Sequence, residues 1–257
     1  MEEKIDREFN EGERLYIGKT IAAESGVKEH FERYEFVKKY LKPDFIVLDA
    51  ACGTGYGTDI LSNSVKKVIG LEISEHALNW AKEHYKNSNI EFKQTDLNKS
   101  LDLPDNYFDT VVSFETLEHV ENQENMLGEF KRVLKPGGLL IISSPDREII
   151  TGKSGSDNKF HIKELSKKEF IDLMKKYFGV EEIFGQTKYV ELPLYKQLLK
   201  LLVKLDVFKF RRAILRVLGL TLKVHDNFTP ISYGKIQKVD WNSENDFYVL
   251  IMVCIKK

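Results

Sequence analysis

Short apolar runs recur along the first 145 positions, each followed by a turn or a helical stretch. Phe45–Leu48, Lys67–Leu71, Ile90–Gln94, Thr110–Phe114 and Leu139–Ser143 have the length and composition of buried strands. Between them the spacing predicts helices over Thr58–Asn63, Ser74–His84 and Asn122–Leu134. Ser74 reads as an N-cap, with Ala77, Leu78 and Ala81 on one face of its helix. The third helix is expected to stop at Lys135-Pro136-Gly137-Gly138. Upstream, Glu29–Val37 carries apolar residues at helical spacing within an otherwise polar start. Strands alternating with helices predict an α/β, doubly wound, mainly parallel sheet.

After Ser144 the rhythm changes. Asp146–Asp157 reads as a polar loop, and Ser166–Phe178 as a helix with a capping box between Ser166 and Glu169. Val180–Phe184 suits a strand, and Phe247–Ile255 is a strongly apolar last one. The expected organisation is an N-terminal helical cap over 1–42, a core over 43–188 and 225–257, and a helical insertion over 189–224.

Composition narrows the classes. The 257 residues suffice for one large core, and 39 Lys+Arg against 40 Asp+Glu give no basic field for RNA, which is an unlikely partner. Cys52 and Cys254 match no metal spacing. The charged start, Met1-Glu2-Glu3-Lys4, does not read as a signal peptide, and no apolar run approaches membrane-spanning length. A soluble cytoplasmic protein is expected.

The chemistry begins at Asp49-Ala50-Ala51-Cys52-Gly53-Thr54-Gly55-Tyr56-Gly57-Thr58. Strand, glycine loop and helix in that order start a nucleotide site in doubly wound folds. A dinucleotide loop would place glycine where Thr58 stands, and an acid near a pyrophosphate would repel it. Asp49 at the strand tip instead suits a ligand with an adenosine, a cationic amine and no phosphate. S-adenosylmethionine (SAM) is such a ligand, with Gly53 and Gly55 forming the loop. Glu72 ends the second strand, where an acid bonds ribose hydroxyls. Asp96 and Leu97 follow the third strand, at the height of an adenine; loop capping accounts for Asp96 as well. Phe114 follows the fourth and either walls the cofactor or packs in the core.

A second constellation is Glu115-Thr116-Leu117-Glu118-His119. One helical turn would bring Glu115, Glu118 and His119 to one face. Two carboxylates and an imidazole so arranged can bind Mg²⁺ or another divalent cation. The plainer reading has Glu118 as a cap and His119 packing or acting as a lone base.

Asp49-x-x-x-Gly53-x-Gly55-x-Gly57, Glu72, Asp96, Phe108-Asp109-x-Val-Val and Leu134-Lys135-Pro136-Gly137-Gly138 resemble the successive motifs of class I SAM-dependent methyltransferases over about residues 45–145. The resemblance implies a Rossmann-like seven-stranded sheet whose antiparallel last strand, Phe247–Ile255, sits between its neighbours. The E-x-x-E-H run resembles the metal-binding turn of ubiquinone-pathway O-methyltransferases and of small-RNA 2′-O-methyltransferases. The latter add a downstream histidine, for which His161 is the candidate, as a fourth ligand or as the general base.

Glu11–Leu15, Glu29-His30-x-x-Arg33-Tyr34, Ser143-Ser144-Pro145 and Phe160-His161-x-x-Glu164 resemble methyltransferases associated with surface-polysaccharide clusters. Gly-Thr-Gly stands here where that group has Gly-Glu-Gly. This resemblance implies a sugar hydroxyl or glycan acceptor and polysaccharide biosynthesis. Arg33 is a candidate for the cofactor's carboxylate, or a packing residue of the N-terminal helices. A hydroxyl is a poor nucleophile at neutral pH, so a cation or a base at His119 or His161 favours O-methylation. A quinone or phenolic acceptor is the alternative, and a non-catalytic SAM-binding regulator the alternative of another class. Residues 196–223 carry eight Lys/Arg and one acid, Asp206, and suit a helical cap, a lid, a homodimer interface or a peripheral membrane contact.

Overall fold

The computed structural model describes residues 25–150, 160–187, 236–239 and 247–257. Its centre is an eight-stranded sheet of order β3-β2-β1-β4-β5-β8-β6-β7. The strands are β1 (Ile46–Ala50), β2 (Lys67–Glu72), β3 (Ile90–Gln94), β4 (Phe108–Ser113), β5 (Leu134–Pro145), β6 (Gly179–Gln186), β7 (Ile236–Lys238) and β8 (Val249–Ile255). β1 to β5 pair in parallel, whereas β8 runs antiparallel between β5 and β6, as expected for the last strand.

Two expectations change. Among the described residues the sheet has eight strands rather than seven, because Ile236–Lys238 adds a strand antiparallel to β6. Three residues with two exposed polar side chains make no apolar run to read, and a short lysine-bearing strand is a usual sheet edge. The run Lys135–Gly138 does not separate a helix from a strand, since it lies within β5. Gly137, at φ 75°, donates its N–H to Lys256, and Gly138 accepts from Lys256, so the end of β8 holds this segment. The ladder with β4 shifts register there, between Phe108 and Thr110.

The longer helices among the described residues are α1 (Ser25–Val37), α2 (Tyr56–Ser62), α3 (Glu75–His84), α4 (Gln123–Val133) and α5 (Lys167–Tyr177). Ser74 caps α3 by accepting the N–H of Ala77, and Ser166 with Glu169 forms the expected capping box of α5. Alternation along the strands makes two cores. Leu48, Ile69, Val111, Leu140, Leu250 and Met252 face α4 and α5, where Met126, Leu127, Phe130, Phe170 and Met174 are buried. Val47, Val68, Val112, Ile141, Ile251 and Val253 face α1 and α2, under Tyr34, Val37, Tyr56 and Leu61. Burying such side chains stabilises by about 1.5–3 kcal/mol each. Residues 1–24 of the expected N-terminal cap, the expected insertion over 189–224 and its basic run lie outside the described residues.

Candidate functional site

The strand order reverses between β1 and β4, and a cavity of about 630 Å³ opens at the carboxyl ends of the parallel strands there. Ligands of open α/β sheets sit at this reversal, and the volume suits a nucleoside-sized molecule. The loop after β1 forms its floor. Ala51, Gly53 and Gly55 have φ of 61°, 56° and 84°, so the chain turns tightly before α2. At Gly55 a side chain would also strike Ala81 Cβ at 2.7 Å and the Phe92 ring at 2.9 Å. Close packing of α3 and β3 against the loop therefore needs glycine there.

Glu72 holds this loop from the end of β2. One carboxylate oxygen accepts the N–H of Gly53 at 3.1 Å and the other the N–H of Ser74 at 2.9 Å. Gly53, Glu72, Asp96, Leu97 and Phe114 all line the cavity. Asp96 accepts from the main-chain N–H of Asn98 at 3.0 Å, and this bond holds its carboxyl below the usual range.

Asp49 and Arg33 stand back from the cavity wall. Asp49 is wholly buried and does not line the cavity. Its carboxylate accepts from Tyr34 Oη at 3.1 Å and from Thr58 Oγ1 at 2.6 Å. Burial pushes its pKa up to about 6, against the two hydroxyl bonds that lower it. It thus pins α1 and α2 to the strand tip. Thr58, where a dinucleotide loop would carry glycine, supplies one of the two hydroxyls. Arg33, 2% exposed, also lies outside the cavity wall. Its Nη1 is 3.2 Å from Glu115 Oε1, but neither Nη1 nor Nε has a hydrogen bond of acceptable geometry. From the same helix, His30 and Tyr34 line the cavity instead. Gly55 contributes through packing and is likewise not part of the wall.

The E-x-x-E-H run does not form one helical face. Glu115 takes φ 48°, rare for a residue with a side chain, and only Leu117–His119 makes a 3-10 turn. The kink turns Glu115 toward Arg33 and toward Ser143, whose hydroxyl donates to it at 2.8 Å. Glu118 and His119 turn instead to His161, and the ligand atoms of these three all lie within 4.8 Å of one another. All three line the cavity.

Local bonds bring His161 there. Ile162 and Lys163 donate their N–H groups to the Glu118 carbonyl, at 2.8 and 3.1 Å. Gln123 Nε2 straps the same two segments by bonding the carbonyls of Leu117 and Lys163. The His119 and His161 rings meet edge to face at 4.9 Å. Glu118 is 1% exposed, and burial, with the Glu115 charge next, pushes its carboxyl well above the usual range. His119 Nε2 is 4.0 Å from Glu118 Oε1.

One carboxylate and two imidazoles form a donor set for a transition ion such as Mn²⁺ or Zn²⁺ better than for Mg²⁺, which prefers oxygen. The set as found holds one of the two expected carboxylates, Glu118, while Glu115 lines the same cavity and pairs with Arg33. Ligands about 2.0–2.2 Å from a tetrahedral ion stand about 3.3–3.6 Å apart, so atoms within 4.8 Å of one another would close by up to about 1.5 Å around an ion. Sequence reasoning gave no role to His30, although it stands in the Glu29-His30-x-x-Arg33-Tyr34 run, and missed Tyr248, which belongs to no motif; both line the wall. It also left Glu164 without a role, although His161-x-x-Glu164 is legible in the sequence.

The sheet order, the glycine loop and the acid closing β2 define a Rossmann-like nucleotide-binding fold of the methyltransferase type. Residues 48–142 match the family described as methyltransferase domain. This part of the chain is similar to class I SAM-dependent methyltransferases, and SAM is the cofactor that similarity implies. It is 36% identical over 143 residues to a Mycolicibacterium smegmatis protein named "Probable S-adenosylmethionine-dependent methyltransferase", covering 54% of each chain. It is 33% identical over 160 residues to phosphoethanolamine N-methyltransferase 3 of Arabidopsis thaliana, covering 58% of this chain and 31% of that one. The chain thus spans about half the length, or less, of these curated relatives. Among solved structures, one from the complex of the Haloferax volcanii Trm112 methyltransferase activator with a methyltransferase superposes with a TM-score of 0.62 at 16% identity. That match covers 90% of this chain and 92% of the other, and it shows the fold. Among the described residues no helix is long and apolar enough to cross a membrane.

Proposed function

We propose that this protein transfers a methyl group from SAM to a hydroxyl oxygen of a sugar or glycan precursor, with a divalent transition-metal ion held by Glu118, His119 and His161. The observation that carries the reading is that these three side chains line the same cavity as Gly53, Glu72 and Phe114. Glu72 and the loop after β1 bind and orient the nucleoside end. Phe114 and Tyr34, whose rings meet edge to face at 5.1 Å, form an apolar wall beside it. SAM supplies an electrophilic methyl group, and the cation supplies Lewis acidity that lowers the pKa of an acceptor hydroxyl. An amine acceptor needs no such help, so the cluster favours oxygen over nitrogen.

A second reading, a phenolic acceptor, is favoured by Phe160 and Tyr248 in the cavity wall, where an aromatic ring can stack. Methyl transfer from labelled SAM to a panel of nucleotide sugars, glycans, catechols and amines separates these readings. Turnover of amines alone, or full activity after chelation and in Glu118→Gln, overturns the metal-assisted O-methylation. Peripheral membrane contact through 196–223 and homodimer formation belong to the same proposal, and flotation with anionic vesicles and sedimentation test them.

A further inference from the structure

His119 and His161 both carry a partner on the same ring nitrogen, but the partners differ. His119 Nδ1 lies 3.0 Å from the Phe160 carbonyl oxygen. His161 Nδ1 contacts Glu164 Oε1 within hydrogen-bond reach. A carbonyl accepts and never donates, so His119 carries its proton on Nδ1. The lone pair of the neutral ring is then on Nε2, the atom nearest Glu118.

Glu164 makes the same choice for His161 with a stronger partner. Its side chain is 3% exposed, and that of His161 is 11% exposed. A carboxylate buried to that extent requires a donor, and the imidazole Nδ1–H is one. We propose that Glu164 is a positioning residue that fixes His161 as the Nδ1–H tautomer and so presents the Nε2 lone pair to the cavity shared with Glu118 and His119. A carboxylate behind a metal-binding or proton-accepting histidine orients the ring and raises its basicity, and losing it costs 10–100-fold in metal affinity.

The architecture keeps this pair in place. Glu164 sits in the segment that Gln123 and the Glu118 carbonyl hold against the 3-10 turn, and Arg147 Nη1 donates to its main-chain carbonyl at 3.3 Å. Leu165, next in sequence, bridges to Asp146 at the end of β5. The carboxylate therefore lies buried behind the cavity wall, three residues beyond the ring it orients.

The inference rests on the proposed function for its purpose, but its test does not. Nitrogen-15 NMR of the full chain with labelled histidine, assigned with His161→Asn, reads the tautomer directly. The wild type is expected to show His161 protonated on Nδ1, and Glu164→Ala to shift it toward the Nε2–H form. Glu164→Gln, close in shape, covers the case where the alanine variant does not fold; its amide oxygen can keep the tautomer while removing the charge. Mn²⁺ titration by calorimetry is expected to weaken 10–100-fold in Glu164→Ala and less in Glu164→Gln. An Nε2–H tautomer in the wild type, or unchanged tautomer and Mn²⁺ affinity in both variants, overturns the role of Glu164. A wild type that binds no Mn²⁺ yet shows the Nδ1–H form overturns the metal reading alone and supports Glu164 as the tautomer-setting group.

Discussion

Tyr34 Oη donates to Asp49 Oδ1 at 3.1 Å, joining α1 to the tip of β1. The aromatic ring lies directly over Gly57 in α2. One tyrosine therefore latches the N-terminal helix onto the loop that floors the cavity. Removing the hydroxyl in Tyr34→Phe leaves Asp49 buried with one donor fewer. A loss of about 1.5–3 kcal/mol is expected, read from urea denaturation with unchanged m.

Gly57→Ala tests the ring rather than the hydroxyl. A Cβ at position 57 would lie 2.0 Å from the Tyr34 ring, well inside contact. The ring must leave its place, so this variant is expected to lose more stability than Tyr34→Phe, by about 3 kcal/mol or more, the upper end for overpacking. Equal stability to the wild type in the same denaturation series would mean that α1 does not pack as found.

The pH dependence of stability follows from Asp49, whose pKa is pushed up to about 6 from an ordinary value of 3.8. A folded-state pKa above the unfolded one means that the folded chain binds the proton more tightly. This contribution is fully present at low pH and is lost as pH rises from about 4 to about 6. Asp49→Asn has no such loss. Between about pH 4 and pH 7 the wild type is expected to fall relative to Asp49→Asn by on the order of 3 kcal/mol. Thermal melts of both proteins at the two pH values check the sign.

Arg33 and Glu115 form a pair whose members are unequally exposed, at 2% and 20% of the side chain. Glu115→Gln leaves the buried guanidinium without its nearest charge, at a cost of about 3–5 kcal/mol. Arg33→Met with Glu115→Gln removes both charges and is expected to recover most of that loss. A double variant as unstable as the sum of the single ones would rule out the coupling.

Cofactor affinity is expected to depend on Glu72 more than on Asp96. Glu72 holds the N–H groups of Gly53 and Ser74, whereas Asp96 bonds its own turn at Asn98. Glu72→Gln keeps the shape but removes the charge that accepts both amides. A fall of about tenfold or more in affinity for S-adenosylhomocysteine is expected by calorimetry, the scale of 1.4 kcal/mol. A smaller effect than that of Asp96→Asn would reverse the assignment.

Local sequence pattern determined the sheet, the caps and the residues that line one end of the cavity. Apolar runs of strand length, Ser74, Ser166 and the glycines after Asp49 act through neighbours a few residues away, so their effect is written in order along the chain. Gly53, Glu72, Asp96, Leu97 and Phe114 reach one cavity because parallel strands bring their carboxyl ends to one edge. Ile236–Lys238 escaped notice because an edge strand of three residues needs a partner strand to exist at all.

Only the tertiary structure decided what the charged residues face. Asp49 looked like a cofactor contact, but α1 and α2 close over it with Tyr34 and Thr58. Glu115, Glu118 and His119 were assigned by spacing on an assumed helical turn; the left-handed Glu115 breaks that turn and sends the two acids to different partners. His161 came to His119 across 41 intervening residues through Gln123 and the Glu118 carbonyl, not through any periodicity. Periodicity reports which side of an element is apolar. Where a buried charge points depends on which distant donor reaches it first, and that is a property of the folded chain.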